Sequence, residues 1–388
     1  MRSASIVWLP VAIGCSALLL ACGKDSTGPV TLQSLAIVDG DSQTGPGGDD
    51  LPDSLRVVVT GSNNQPMGGV TVTWAAGGAA VSPLTSTTDA NGKTAARVSL
   101  GPVGSVIVTA TVAGLGTVAF YATAVNPCSW LHAFGVGQSV NGILRQYDCL
   151  SNGFFVDLYD LPVGGAQQTL SITMVSNALD AWLDVFTLAG SYVGSNDDDA
   201  ASTNSRFKVV AAGGEYVIAA NSFDPGEIGP YVLAATPTSA SEENCEEVWL
   251  TRGVTTAQGL ATTDCMAAGP TYSDAFMLVL YAGESLDVTE TTTAFDALLQ
   301  LYRLHDFPPA PPSLVAFDDS AGGGTHLTYT ADSGAVYELV ATSMTAGGQG
   351  AYTLTLAPPV FSAAAATGPR MMASPGLFSR VPRRHLKR

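Results

Sequence analysis

The sequence predicts an all-β protein, three tandem β-sandwich domains behind an export signal. Three observations predict it. Only 13% of the 388 residues are charged, against 42 glycines and 46% hydrophobics, and long Leu/Glu/Lys stretches are absent. That is the mix of an exported strand-and-turn protein. Hydrophobic residues also alternate with period two over short runs bounded by Gly, Asn, Asp and Pro, the pattern of half-buried strands. Finally, the chain downstream of residue 127 is written twice. A chain of this length suits roughly two to four cores.

Residues 1–21 open with Arg2, run on as an apolar stretch broken by Pro10 and Gly14, and end Leu19-Leu20-Ala21. The apolar part is too short to span a bilayer, so it reads as an export signal. One reading is a plain signal peptide cleaved near Ala21. The other starts from Leu19-Leu20-Ala21-Cys22, which resembles the lipobox of bacterial lipoproteins. That resemblance implies acylation of Cys22 and a lipid anchor to the cell envelope. Gly23, in place of Asp, resembles lipoproteins passed on to the outer membrane. Residues 22–30 are small and polar and read as a tether.

Residues 31–126 alternate cleanly. Val70, Val72 and Trp74 fall on one face, as do Val106, Val108, Ala110 and Val112, with threonines between them. Asn91-Gly92 supplies a positive φ for a tight hairpin turn. Short strands at this spacing imply a two-sheet sandwich. Three stretches carry a family likeness: Asn64–Trp74, Thr88–Lys93 and Val106–Gly114. They resemble the bacterial Ig-like domain of invasins and intimins, which implies a display or stalk module without catalysis.

The duplicated part covers 128–237 and 245–357. Copy one holds Cys128, Cys149, Leu179-Asp180-Ala181-Trp182, Asn196-Asp197-Asp198, Gly214-Glu215-Tyr216 and Gly229-Pro230-Tyr231. Copy two answers with Cys245, Cys265, Phe295-Asp296-Ala297-Leu298, Phe317-Asp318-Asp319, Val336-Tyr337 and Gly350-Ala351-Tyr352. Each copy is long enough for a sandwich core of its own. Cys128 to Cys245 is 117 residues and Asp180 to Asp296 is 116, whereas Tyr216 to Tyr337 and Tyr231 to Tyr352 are 121. An insertion therefore falls between Asp296 and Asp318, where the Pro-rich stretch His305–Ser313 lies. In an oxidising compartment the four cysteines suggest disulfides, and the repeat selects the pairs Cys128–Cys149 and Cys245–Cys265. The order of motifs resembles the bacterial pre-peptidase C-terminal (PPC) domain. The resemblance implies a jelly-roll-like sandwich, so the expected architecture is one Ig-like and two jelly-roll-like sandwiches. No peptidase domain precedes these copies, which departs from the family's usual setting.

Two readings stand for the acidic turns. Asp180, Asp197, Asp198, Asp296, Asp318 and Asp319 would supply oxygens for a structural Ca²⁺ assembled by the fold. The alternative is that they end strands as Asx turns. Trp182 and Trp249 belong either to the core or to a sugar-stacking platform. For catalysis the sequence offers little. None of His132, His305, His326 and His385 lies in H-E-x-x-H, and there is no G-x-S-x-G elbow or phosphate loop. The acid pairs Glu242-Glu243 and Glu246-Glu247 read as solvated surface.

Charge is unevenly placed. The tail, 358–388, carries six of the 16 bases and no acid, so residues 22–369 hold nine bases against 33 acids. Such a body excludes nucleic acid as a partner. The tail ends Arg380–Arg388 and reads as a basic, disordered segment. The expected whole is a non-catalytic surface lipoprotein that binds a glycan or protein ligand. The alternative is an accessory subunit docking an exported hydrolase or peptidase.

Overall fold

Strand formers in period-two runs leave few ways to build a core other than sheet on sheet. The computed structural model describes residues 30–199, 202–239, 247–266, 271–304, 311–319 and 324–361. The expected signal peptide, Cys22, nearly all of the tether, Cys245, Glu242, Glu243, Glu246, most of the Pro-rich loop and the basic tail from residue 362 lie outside them. Apart from a single 3-10 turn at Pro127–Ser129, the regular structure of the described residues is β-strand.

The first sandwich follows the expected alternation. One sheet orders Leu32–Asp39, Leu55–Gly61, Lys93–Leu100 and Ala79–Ser82. The other orders Gln43–Pro46, Gly116–Val125, Gly104–Val112, Thr71–Gly77 and Thr85–Thr87. Val72, Trp74, Val106, Val108, Ala110 and Phe120 face inward and pack with Leu55, Val57 and Val98 of the opposite sheet. Trp74 is buried without an orphaned donor, because its indole N–H bonds the Ser86 hydroxyl at 2.8 Å. At the Asn91-Gly92 turn, the Asp89 carboxylate accepts the Asn91 and Lys93 amides at 2.9 and 2.8 Å. Gly92 takes φ +69°, and a Cβ there would collide with the Val59 carbonyl. Only glycine suits both demands.

The two copies are joined more tightly than separate cores would be. In copy one, a sheet of His132–Ala133, Phe154–Val163, Gly214–Ser222, Ala181–Thr187 and Tyr192–Asn196, with Cys149–Ser151 added, faces a second sheet. That second sheet runs Ser139–Leu144, Gly229–Pro237, Gln168–Val175 and Ser205–Ala211. It does not end there. Val248–Leu250 pairs parallel with Ser205–Ala211 on one side and with Tyr272–Leu280 on the other. The ladder continues through Ala335–Ser343, Ala297–Arg303 and Ser313–Asp318, and with Cys265–Met266 paired beside Tyr272–Leu280 it makes one ten-stranded sheet shared by both copies. Copy two closes its own core with Thr255–Leu260, Gly350–Leu356, Glu284–Thr292 and Gly324–Thr330.

The reason lies in three consecutive apolar residues. Val248 and Leu250 enter the core of copy two, while Trp249 points the other way into the core of copy one. Its ring is fully buried and stacks on Phe207 at 5.4 Å between centroids. Trp182 is also buried, against Phe223. The core reading of both tryptophans therefore holds, and neither forms a sugar platform.

Gly194 lies under the Trp249 ring, and a Cβ at that position would run into its six-membered edge. Gly194→Ala is expected to cost about 1–3 kcal/mol through overpacking. The check is chemical denaturation followed by tryptophan fluorescence. An unchanged transition would show that Trp249 does not depend on this close approach.

Candidate functional site

One group of buried polar side chains in copy one lies beside the disulfide and the first sandwich. Asp157 sits on Phe154–Val163, on the face that sends Tyr159 and Leu161 into the core. Tyr231, from Gly229–Pro237, donates its hydroxyl to Asp157 Oδ2 at 2.5 Å, and Tyr159 and Tyr231 share a further bond at 2.7 Å. Tyr231 can reach because its ring lies over Gly142, where a Cβ would occupy the same space. Burial, and then the nearby Asp148, push the Asp157 carboxyl well above the usual carboxylate range. Withdrawal from water favours the neutral form of such an acid.

Asp148 continues the chain outward. Its carboxylate accepts the Arg145 amide and takes a hydrogen bond from Asp157. Burial first, with the neighbouring charge of Asp49 adding to it, raises its pKa to about 7. Beside it runs the disulfide Cys128–Cys149, which ties the start of the copy to the strand that follows Asp148.

This end of copy one is also where the first sandwich docks. Gly47 and Gly48 lie against Tyr147 and Asp148, and a Cβ on Gly48 would strike Asp148 Oδ1. Asp49 reaches Arg145 at 3.2 Å and His132 at 3.4 Å, and Arg145 extends to Asp50 at 3.6 Å. Burial lowers the His132 pKa, opposed by Asp49, and burial raises that of Asp49. A cleft between the two modules is lined by Pro46, Asp49, Pro127, His132, Asp148 and Leu158. Its volume, about 10 Å³, is roughly that of a single water molecule and far short of the roughly 300 Å³ at which small-molecule pockets begin. The arrangement fastens two modules.

Copy two repeats the buried end without the docked module. Tyr352 donates to Asp274 Oδ2 at 2.5 Å, and Asp264 Oδ2 accepts the Ala261 amide at 2.5 Å. Burial raises the Asp274 pKa to about 7. Cys265 is disulfide-bonded as well; Cys245, its expected partner, lies outside the described residues. Phe276 stands where copy one has Tyr159, so the second hydroxyl is lost. Sequence reasoning passed over Asp157 and Asp274, although a signal was present. Both stand two residues before an aromatic in a strand, at the same 117-residue offset as Cys128 and Cys245.

The acidic turns are engaged differently. Asn196 Oδ1 caps the Asp198 amide at 3.0 Å, an Asx turn, and Asp199 clamps Arg206 through two bonds at 2.8 and 2.9 Å. Asp318 Oδ2 accepts the His326 amide at 2.8 Å. Asp180 does approach Asp198. Burial, then Asp198, Glu227 and Asp224, raise its pKa. Asp197 is buried, while Asp296 and Asp319 are exposed. Among the described residues, no three His, Cys, Asp or Glu side chains converge as a metal-binding set. Of the six acids expected for Ca²⁺, Asp180 and Asp198 approach each other in copy one, and Asp318 bonds the His326 amide in copy two.

Removing one hydroxyl tests the buried end. Tyr231→Phe and Tyr352→Phe each leave a buried carboxyl short of a donor, at about 1–3 kcal/mol. Denaturant titration at pH 6 is expected to show the larger loss for Tyr231, which holds both Asp157 and Tyr159. Equal stability of both variants and the parent would remove the bond from the list of things holding the sandwich closed.

Comparison with known proteins follows the modules. No curated protein matches the sequence. Among solved structures, the pre-peptidase C-terminal domain of a collagenase from Bacillus anthracis aligns at 16% identity over 27% of this chain and 94% of its own, with a TM-score of 0.23. A C-terminal fragment of intimin, solved with the intimin-binding domain of the translocated intimin receptor, aligns at 12% identity over 59% of this chain and 66% of its own, TM-score 0.21. Invasin, a bacterial integrin-binding protein, aligns at 15% identity over 83% of this chain and 59% of its own, TM-score 0.21. At such scores nothing about ligands transfers. Residues 47–124 match the family model of the bacterial Ig-like domain, group 1. Residues 47–124 are thus similar to group 1 bacterial Ig-like domains, and the sandwich they build is fastened at Asp49 to the first of two fused β-sandwiches.

Proposed function

We propose that this protein is an exported lipoprotein, anchored through Cys22 and displayed at the cell surface, where it binds glycan or protein ligands without catalysis. The observation that carries this reading is the group 1 Ig-like domain at residues 47–124, seated on a disulfide-braced body. A disulfide such as Cys128–Cys149 fits an oxidising compartment outside the cytoplasm. The order of parts supports display: lipobox first, a polar tether next, then rigid sandwiches. The acidic body fits a cationic or neutral ligand surface rather than nucleic acid.

Expression in a lipoprotein-processing bacterium with radiolabelled palmitate tests the anchor. The parent is expected to take up label and fractionate with membranes, and Cys22→Ser to lose the label and most membrane association. Protease treatment of intact cells then reads display. Absence of label on the parent removes the lipoprotein reading, and full protection from protease removes surface exposure. Binding of the purified protein to glycan arrays and immobilised host-surface proteins addresses the ligand. A hydrolase recovered with it in stoichiometric amount would favour the accessory role over adhesion.

A further inference from the structure

Copy two buries an acid at a position where copy one carries an apolar residue. Glu290 lies on Glu284–Thr292, in line with Leu286 and Val288, on the face turned into the core. It is 0% exposed, and neither carboxyl oxygen has a hydrogen-bond partner among the described residues. Directly opposite on the next strand is Thr325, whose hydroxyl is also buried and without a partner. The corresponding pair in copy one is Met174 and Ser205, also cross-strand partners. There the apolar Met174 fills the core, and the Ser205 hydroxyl bonds the Asn196 carbonyl at 2.7 Å. Copy two has thus exchanged a settled apolar position for a carboxyl aimed into the interior.

From the facing sheet, Asp274 enters the same polar end, held by Tyr352. Gln258 and Thr256 are buried on Thr255–Leu260, the strand beside Tyr352, and bond each other at 3.0 Å. Asp264 adds its charge from the turn that follows. Among the described residues, the ionisable group acting on Glu290 is Asp274, and those acting on Asp274 are Tyr352 and Asp264. Every one of them is an acid. A carboxylate pair in such a place repels itself and lacks solvation, so the stable form is the neutral one.

We propose that this end of copy two is a proton-held clasp: Glu290 and Asp274 enter the core as neutral acids, and losing those protons opens the sandwich at this end. Burial, then Asp274, raises the Glu290 pKa to about 8, and burial raises that of Asp274 to about 7. Both folded values stand above the ordinary carboxyl value of about 4. The stabilisation is therefore complete below that value and is lost as pH rises through 7 and 8. The clasp is independent of the lipid anchor and of any ligand. It would make the distal sandwich responsive to the acidity outside the cell.

Hydrogen exchange of the full chain, corrected for intrinsic rates, tests this between pH 5 and 9. The strands to follow are Glu284–Thr292 and Gly350–Leu356. Gly104–Val112 of the Ig-like domain, whose inward side chains are apolar, serves as reference. Opening of the two copy-two strands is expected to rise with pH up to about 8, by as much as about tenfold per pH unit for each proton released, while the reference stays level. Glu290→Gln keeps the shape without the charge and should reduce the dependence to that of Asp274 alone, at most one proton. Glu290→Met, which installs the residue of copy one, should do the same and raise protection at pH 9. An unchanged pH dependence in Glu290→Gln would overturn the clasp, and so would a parent whose strands track the reference. Protection restored at pH 8 by sodium, potassium or calcium chloride, compared at equal ionic strength, would also overturn it, in favour of a bound cation.

Discussion

The architecture downstream of the Ig-like domain depends on one strand of three residues. Val248–Leu250 is hydrogen-bonded on both sides, to Ser205–Ala211 of copy one and Tyr272–Leu280 of copy two. A strand paired on both edges satisfies the backbone polar groups of each neighbour and removes two exposed sheet edges at once. Its side chains divide by the pleat. Trp249 serves one core while Val248 and Leu250 serve the other. A one-residue slip would send Trp249 into the wrong sandwich, so the register of the whole ten-stranded sheet is set here.

Much of this was open to a sequence reading. Period-two alternation around Trp74, Val106 and Val108 gives the first sandwich because one face is core and the other water, and the structure buries those residues. The duplicated cysteines gave the disulfide at Cys128 and Cys149, now seen directly. What alternation cannot report is which neighbour a strand chooses. Val248–Leu250 is apolar throughout, the pattern of a strand buried on both faces, and nothing local says that its two faces belong to different cores. The acidic turns drew attention because clustered aspartates are conspicuous. Asp157, Asp274 and Glu290 are buried within strands and, as charged types, read as outward-facing until the opposite sheet is in place.

The two copies have diverged by exchanging small features around a preserved acid. Asp157 and Asp274 both accept a tyrosine hydroxyl from the last strand of their sandwich. In copy one, Tyr159 adds a second hydroxyl, and the Ig-like domain covers the outer carboxyl, Asp148, with two glycines. In copy two the extra hydroxyl becomes Phe276 and a further acid appears at Glu290. The same framework thus serves as a dock at one end of the protein and as an unshielded acidic interior at the other. Ion pairs at the dock are partly exposed and add little stability of their own; glycine contacts and backbone fit do more to seat the module.

The shared strand also changes what a cut between the copies would mean. Cleavage anywhere in the link before Val248 leaves that strand attached to copy two by the chain and to copy one by its ladder and by Trp249. The halves would remain a non-covalent heterodimer, each the complement that the other's sheet edge requires. Where proteases act on it, such a protein would survive nicking as an assembly rather than shed copy two.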